Sequence, residues 1–357
     1  MKTPGFFHRR SPGLAMSWAL APLQAASWVY GAGAALHALA YAGSRKGRRL
    51  GCGVVSVGSP MVGGTGKTPV AAQVACLLQA DGYRVALASR GYGAARDAGV
   101  HVVSDGRRLL VSSEVSGDEP RVLAAHAPGV PVLVARDRGL AGLRAMEEFG
   151  TEILVLDDGL AHHRLCRDLE IVTLDGGMGL GNGHVLPRGP LRERLSGLAR
   201  ADAVMVMDGP LPEADQARVR AHASDAKWFE ASRRVSCLRS LSTRESIPMD
   251  RLAGRSVGLL CGVAYPASFD SMVSGLGASV VARRFLADHH RYEPADVEGL
   301  SDAAPLWIVT EKDAVKLDPA WLADSEVWVL EIEIDSESDF AHWLSESVRA
   351  RISSETR

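Results

Sequence analysis

VVSVGSPMVGGTGKTP, residues 54–69, carries an apolar strand into a glycine-rich turn that closes on Gly66, Lys67 and Thr68. Val54, Val55 and Val57 suit a buried strand, and Gly63, Gly64 and Gly66 have no Cβ to keep backbone N–H groups away from phosphate oxygens. Lys67 then reaches the β- and γ-phosphates of a nucleotide, and Thr68 offers its hydroxyl to Mg²⁺. A helix from Pro69 to Ala80 aims its positive end at the same anion, with proline tolerated in the first turn. Met61, Val62, Gly63, Gly64, Thr65 and Gly66, with Lys67 and Thr68, are therefore read as an ATP cradle. The strict pattern GxxxxGK[ST] asks for glycine at 61, where this chain has Met61, so the loop is a variant. The dinucleotide fingerprint GxGxxG is absent, because Ser56 stands where a third glycine would follow Gly51 and Gly53.

An apolar fraction of 46% with 23% charged residues describes a globular chain, and its length suits two ordinary domains. The net charge of −2 conceals an asymmetry: residues 1–80 contain no Asp or Glu but carry Lys2, Arg9, Arg10, Arg45, Lys46, Arg48, Arg49 and Lys67. Basic residues flanking an apolar run point to a membrane surface rather than to nucleic acid. That run, Ser11 to Ser44, is 34 residues without a formal charge and includes Trp18, Trp28, Tyr30 and Tyr41. About 20 apolar residues cross a hydrocarbon core, but Pro22 and the small residues of GAGAALHALA favour a membrane-embedded or interfacial helix pair over a clean span. A cleaved signal peptide and a soluble apolar helix are the alternatives. Use of cytosolic nucleotide argues against the first, and Arg45, Lys46, Arg48 and Arg49 hold their end of the segment on the cytoplasmic side. Cys52, Cys76, Cys166, Cys237 and Cys261 are odd in number and lack CxxC spacing, so they read as reduced thiols. His162, His163 and Cys166 with His289 and His290 make no compact zinc motif.

Beyond the loop, strand-like runs at Arg84–Ala88, Val130–Val134, Ile153–Leu156 and Leu169–Leu174 alternate with helical stretches, clearest at Arg121–Ala127 and Gly139–Phe149. This predicts an α/β fold of the P-loop NTPase type, with a mostly parallel sheet and the nucleotide at the carboxyl ends of its strands. Further strands at Ala203–Met207, Val257–Leu260, Val280–Phe285, Trp307–Thr310 and Val327–Ile332 predict a second, smaller α/β domain. The expected division is a membrane-associated helical segment at 1–50, a kinase-like P-loop domain at 51–200, and a domain at 201–357 that closes over the active site.

ILVLDDG ends an apolar strand on Asp157 and Asp158, the expected acidic half of a P-loop site. Asp157 is the first choice to hold Mg²⁺ and Asp158 assists; capping of the following turn is the alternative. GDEP places Asp118 and Glu119 just before a helix, where capping and catalysis are both open readings. DHHRY, at Asp288–Tyr292, ends a strand with an acid and two histidines, one of which could orient a base.

Taken together, VGGTGKTP, SRGYG, GDEP, ARDR, LDDG, LPRGPLRE, the DHH segment and TEKDAVKL stand here in the order found in the tetraacyldisaccharide 4'-kinases, the lipid A 4'-kinase family, which the chain resembles over about residues 14–335. The resemblance implies ATP- and Mg²⁺-dependent phosphorylation of the 4'-hydroxyl of an acylated glucosamine disaccharide 1-phosphate, giving lipid IVA at the cytoplasmic face of the bacterial inner membrane. It implies Lys67, Asp118 as base and His289 as catalytic residues, His289 pairing with Asp118 across the cleft. Arg138, Arg192 and Glu193 are implied near the substrate. Inner-membrane lipids are the expected partners, with no nucleic acid and no obligate protein partner. Two departures stand out: Arg188 where the family carries a small residue, and AHHRL at 161–165 in place of FQHRRL. A membrane-recruited P-loop ATPase or GTPase is the competing class; it needs neither GDEP and DHH nor LPRGPLRE, and no NKxD signature for guanine is present.

Overall fold

The structure, a computed structural model, describes residues 7, 20–41, 47–91, 99–263, 266–288, 290–322 and 325–352. After a long helix α1 (Ala21–Tyr41), the strands in chain order are β1 (Gly53–Gly58), β2 (Val85–Ser89), β3 (His101–Ser104), β4 (Val132–Val134), β5 (Ile153–Asp157), β6 (Leu169–Asp175), β7 (Ala203–Met207), β8 (Lys227–Ser240), β9 (Ser246–Ile247), β10 (Ser256–Cys261), β11 (Ser279–Phe285), β12 (Leu306–Thr310) and β13 (Glu326–Ser336). They form one sheet in the order 11-10-12-13-8-7-6-1-5-2-4-3, with β9 paired to β8.

β1 lies between β5 and β6 and is parallel to both. All of its residues are buried, which is why its sequence is a continuous apolar run without alternation. The chain leaves β1 for β2, goes outward to β4 and β3, returns to insert β5 beside β1, and then crosses to β6. The carboxyl end of β1 is therefore where strand order reverses, the place at which open α/β sheets hold ligands. Helix α2 (Lys67–Ala80) covers one face with Val70, Ala71, Val74 and Leu78. The last helix (Ser338–Ile352) brings Phe340, Leu344 and Val348 into the same core. On the opposite face, α4 (Arg138–Phe149) packs Ala141 and Ala145 against Leu154. Asp137 caps it by accepting from the Gly139 amide, and Gly150 ends it in the left-handed conformation.

The expected strands are present within a few residues, and β3, β8 and β9 are additions. β8 is the consequential one. Its first residues pair in parallel with β7, and residues 231–240 pair antiparallel with β13. Ala203–Met207, assigned from sequence to the second region, instead extends the P-loop half by pairing with β6. The change-over lies within β8, 14 residues long, whose KWFEASRRVSCLRS mixes charge with apolar groups because neither face is fully covered.

Helix α1 lies against the body through one face: Ser27 Oγ donates to the Val185 carbonyl at 2.8 Å, and Gly31 lets Val185 and Arg194 approach closely. Its other face exposes Trp28 (65%), Val29 (76%) and Leu36 (68%). Among the described residues no helix is long and apolar enough to cross a membrane. One helix of the expected pair is thus described, and residues 8–19, where the other would begin, lie outside the described residues.

Candidate active site

Gly63 and Gly66 adopt φ of 112° and 80°, conformations that side-chain-bearing residues rarely take, and the turn they make delivers Lys67 as the first residue of α2. The Lys67 ammonium donates to the Gly63 carbonyl at 3.3 Å and lies 3.9 Å from Asp158 Oδ1. Burial pushes its pKa down, with Asp158 opposing the shift. Val62, Gly63, Gly64, Lys67 and Thr68 line a cleft of about 1890 Å³. Three members of the expected cradle do not: Gly66, which shapes the turn through its backbone, and the side chains of Met61 and Thr65. Met61 is fully buried in the core around Leu160 and Leu191, and its amide is bound by Ser59 Oγ. Thr65 turns inward to share a hydroxyl hydrogen bond with Thr173. Both anchor the loop from behind, which explains why an apolar side chain stands at 61.

Register places Asp157 beside Val57, at the exit of β1. The Thr68 hydroxyl lies 3.4 Å from its Oδ2, and the Ser89 hydroxyl also points to it at 3.4 Å. Burial, then the charges of Glu119 and Asp158, push the Asp157 carboxyl up to about 7. Asp158 takes the left-handed conformation, φ 56°, which turns its carboxylate toward Lys67 and Arg192. Burial alone would raise its pKa, but Lys67 and Arg192 hold it below the usual carboxylate range. Neither aspartate is a simple turn cap. Among the described residues no three His, Cys, Asp or Glu side chains converge on a metal position. A buried carboxylate with a hydroxyl beside it and a second acid next in sequence nonetheless fits Mg²⁺, which is held by one or two carboxylates plus phosphates and water.

Asp118 precedes the helix α3 (Glu119–His126), but its side chain caps nothing. It lies 3.4 Å from Lys316 instead. Glu119, which lines the cleft, accepts from Lys312 at 3.0 Å, and His126 at the other end of α3 meets Glu311 at 2.7 Å. The whole of α3 is thus tied to the TEKDAVKL segment of the second half. Asp288 lines the cleft; His289 lies outside the described residues.

The three residues expected near the substrate separate. Arg192 lines the cleft and donates to Asp158. Glu193 lines it too, bound to Arg200 at 2.8 Å. Arg138 does not: it is 6% exposed and donates to the Asp158 carbonyl at 2.9 Å and to His162 Nδ1 at 3.3 Å. Burial and then the Arg138 charge drive the His162 imidazole down to about 3, so a neutral ring accepts that bond. His162, the histidine that the segment shares with FQHRRL, thus supports the arginine that supports the Asp158 turn. Sequence reading overlooked Arg233 on β8, which binds Asp175 at 2.8 Å, Asp208, and the Gly64 carbonyl of the loop at 3.2 Å. It lies in a strand without an apolar period, and nothing local marked it.

A glycine loop at the exit of a central parallel strand, a following lysine and hydroxyl, and an aspartate at the end of the adjacent strand define the P-loop nucleotide-binding class. The family model for tetraacyldisaccharide-1-P 4'-kinase matches residues 16–349. The tetraacyldisaccharide 4'-kinase of Anaeromyxobacter dehalogenans (strain 2CP-1) is 42% identical over 340 residues, covering 92% of this chain and 89% of that one. That of Syntrophus aciditrophicus (strain SB) is 38% identical over 319 residues, 84% and 85% of the two chains. The crystal structure of LpxK from Aquifex aeolicus in complex with ATP superposes with a TM-score of 0.74 at 29% identity, covering 93% of this chain and 99% of that one. The chain belongs to the tetraacyldisaccharide 4'-kinase family.

The contrast between the two arginines is testable. Arg138→Met leaves a buried carbonyl and a buried imidazole without their donor and is expected to cost about 1–3 kcal/mol in denaturant unfolding. Arg192→Met, at a solvent-reached position, is expected to cost under about 1 kcal/mol. Equal losses would contradict the assignment of Arg138 to the support of the turn.

Proposed function

We propose that this chain transfers the γ-phosphoryl group of ATP to the 4'-hydroxyl of tetraacyldisaccharide 1-phosphate, forming lipid IVA at the cytoplasmic face of the inner membrane. The observation that carries this reading is the continuity of one cleft, from Lys67 and Thr68 at the loop to Tyr30 and Ala34 on the apolar helix α1. A phosphate cradle and a lipid-compatible wall share a single space. Family membership and the ATP bound to LpxK support the donor and the acceptor class.

Phosphoryl transfer needs in-line positioning and positive charge more than covalent help. Lys67 supplies charge at the β- and γ-phosphates. Thr68 and Asp157 would hold Mg²⁺ with Asp158 beside them, and that ion would neutralise phosphate oxygens. The acceptor oxygen forms the new bond to phosphorus while the bond to the ADP oxygen breaks, its electron pair leaving with ADP. Asp118 takes the acceptor proton, and His289, by family resemblance, orients it. Lys316, 3.4 Å from Asp118, keeps a cation beside this carboxylate. Arg192 and Glu193, which line the cleft, would meet the disaccharide.

The exposed face of α1 supplies the membrane contact in this reading. Each buried CH₂ of an acyl chain contributes ~0.8 kcal/mol, so a tetraacyl substrate stays in the bilayer and the enzyme must reach the interface. Trp28, Val29 and Leu36 offer apolar surface there, and the basic residues on either side of the helix favour anionic headgroups.

Labelled ATP and a defined tetraacyldisaccharide 1-phosphate are expected to yield labelled lipid, and Lys67→Ala to abolish it. Asp118→Ala is expected to keep ATP affinity within about threefold and lose about 10²- to 10⁴-fold in turnover; near-normal turnover would remove its role. Replacing Trp28 and Leu36 together with Asp is expected to lower sedimentation with anionic vesicles and turnover on vesicle-borne lipid while ATP affinity holds. Unchanged vesicle binding would exclude α1 as the docking face.

A further inference from the structure

Most of the TEKDAVKL segment is occupied in holding itself and α3 in place. Thr310 caps the short turn at 311–314 by accepting from the Asp313 amide. The fully buried Asp313 carboxylate accepts from the Gly262 amide at 3.1 Å and from the Thr310 hydroxyl at 2.6 Å, and Lys316 lies 3.2 Å from it. Glu311 receives the Ile332 amide at 3.2 Å and meets His126. Lys312 is the exception. Its side chain is 40% exposed, it lines the same cleft as the loop, and it donates to the Glu119 carboxylate at 3.0 Å.

The charges around Lys312 overlap those around Lys67. Asp157 and Glu119 act on both ammonium groups, joined by Asp158 at Lys67 and by Asp288 at Lys312. Two cations, one from each half of the sheet, thus share acidic neighbours within one cleft. Burial would lower the Lys312 pKa, but Glu119 raises it above the ordinary value, so the ammonium stays charged. A lysine on a four-carbon stem can exchange one anionic partner for another without losing its countercharge. A transferring phosphoryl group, with charge spread over three equatorial oxygens, is the stronger partner.

We propose that Lys312 is a second phosphate-directed cation, which exchanges Glu119 for the non-bridging oxygens of the γ-phosphoryl group as that group leaves ADP, opposite Lys67. This rests on the reading of the cleft as a site of phosphoryl transfer from ATP. Lys312 forms no bond and moves no proton; it stabilises charge that is greatest in the transition state. The anchored neighbours Glu311, Asp313 and Lys316 fix the backbone from which it reaches, so the second half contributes a residue to the cleft that the loop lines.

The test uses the full chain and its Lys312→Met and Lys312→Arg variants, with ADP alone, ADP with magnesium and aluminium fluoride, and the lipid acceptor. Lys312→Met is expected to keep ADP affinity within about threefold, lose about 10²- to 10³-fold in turnover, and lose a comparable factor in affinity for the aluminium fluoride complex. Lys312→Arg, which keeps the charge, is expected to recover part of both. A Lys312→Met enzyme whose turnover and analogue affinity match wild type would overturn the proposal. So would equal weakening of ADP and analogue together with a lowered melting temperature, the behaviour of a structural clamp. If wild type leaves the lipid unmodified while analogue affinity still depends on Lys312, the acceptor assignment fails and the role of the ammonium stands.

Discussion

One buried ammonium set against two adjacent carboxylates organises this molecule. Lys67 enters at the exit of β1, Asp157 at the exit of β5, and Asp158 turns back through a left-handed backbone to face the same ammonium. Such a cluster is costly to bury unless each charge has a partner. Much of the surrounding structure supplies those partners: Arg192 on the Asp158 carboxylate, Arg138 on its carbonyl, His162 behind Arg138, and the Thr68 and Ser89 hydroxyls on Asp157. The balance is incomplete at Asp157, whose pKa is raised first by burial and then by the neighbouring charges of Glu119 and Asp158. A divalent ion brought in with a polyphosphate would supply what is missing.

The second half joins this arrangement by two routes. The antiparallel ladder of β8 and β13 makes the sheet continuous, and ion pairs from 311–316 hold α3 along its length. Asp118 and Glu119 therefore belong by sequence to the P-loop half but take their countercharges from the other. Arg233 adds a third connection, from β8 to the loop carbonyl of Gly64. Changes in the pairing of β8 are thus placed to be felt at the nucleotide cradle.

Much of this was legible in the residues. Apolar runs without alternation announced parallel strands, and the GKT turn followed by LDDG announced a phosphate site with an acid beside it, because these are local signals with fixed spacing. What escaped notice depended on distant neighbours. Met61 faces the core because Leu160 and Leu191 come to it from 99 and 130 residues away in the chain. Arg138 is a support rather than a ligand group because its partners, Asp158 and His162, lie across the fold. β8 carries charges on both faces because it passes between two halves instead of through a core. The second region expected from about residue 201 was read from its run of strands, and the first of them, β7, finds its partner in β6 of the P-loop half, which no local signal marks.

The apolar helix and the phosphate cradle open on one cleft, which in the proposed function brings the lipid headgroup and the nucleotide together. The charge balance at Lys67, Asp157 and Asp158 remains the premise on which that chemistry rests. Calorimetric titration of the full-length protein with ATP, in magnesium and in chelator, addresses it most directly. Magnesium is expected to tighten ATP binding by about tenfold or more, since bare carboxylates repel the phosphates and the ion reverses that repulsion. Equal affinity with and without magnesium would contradict it.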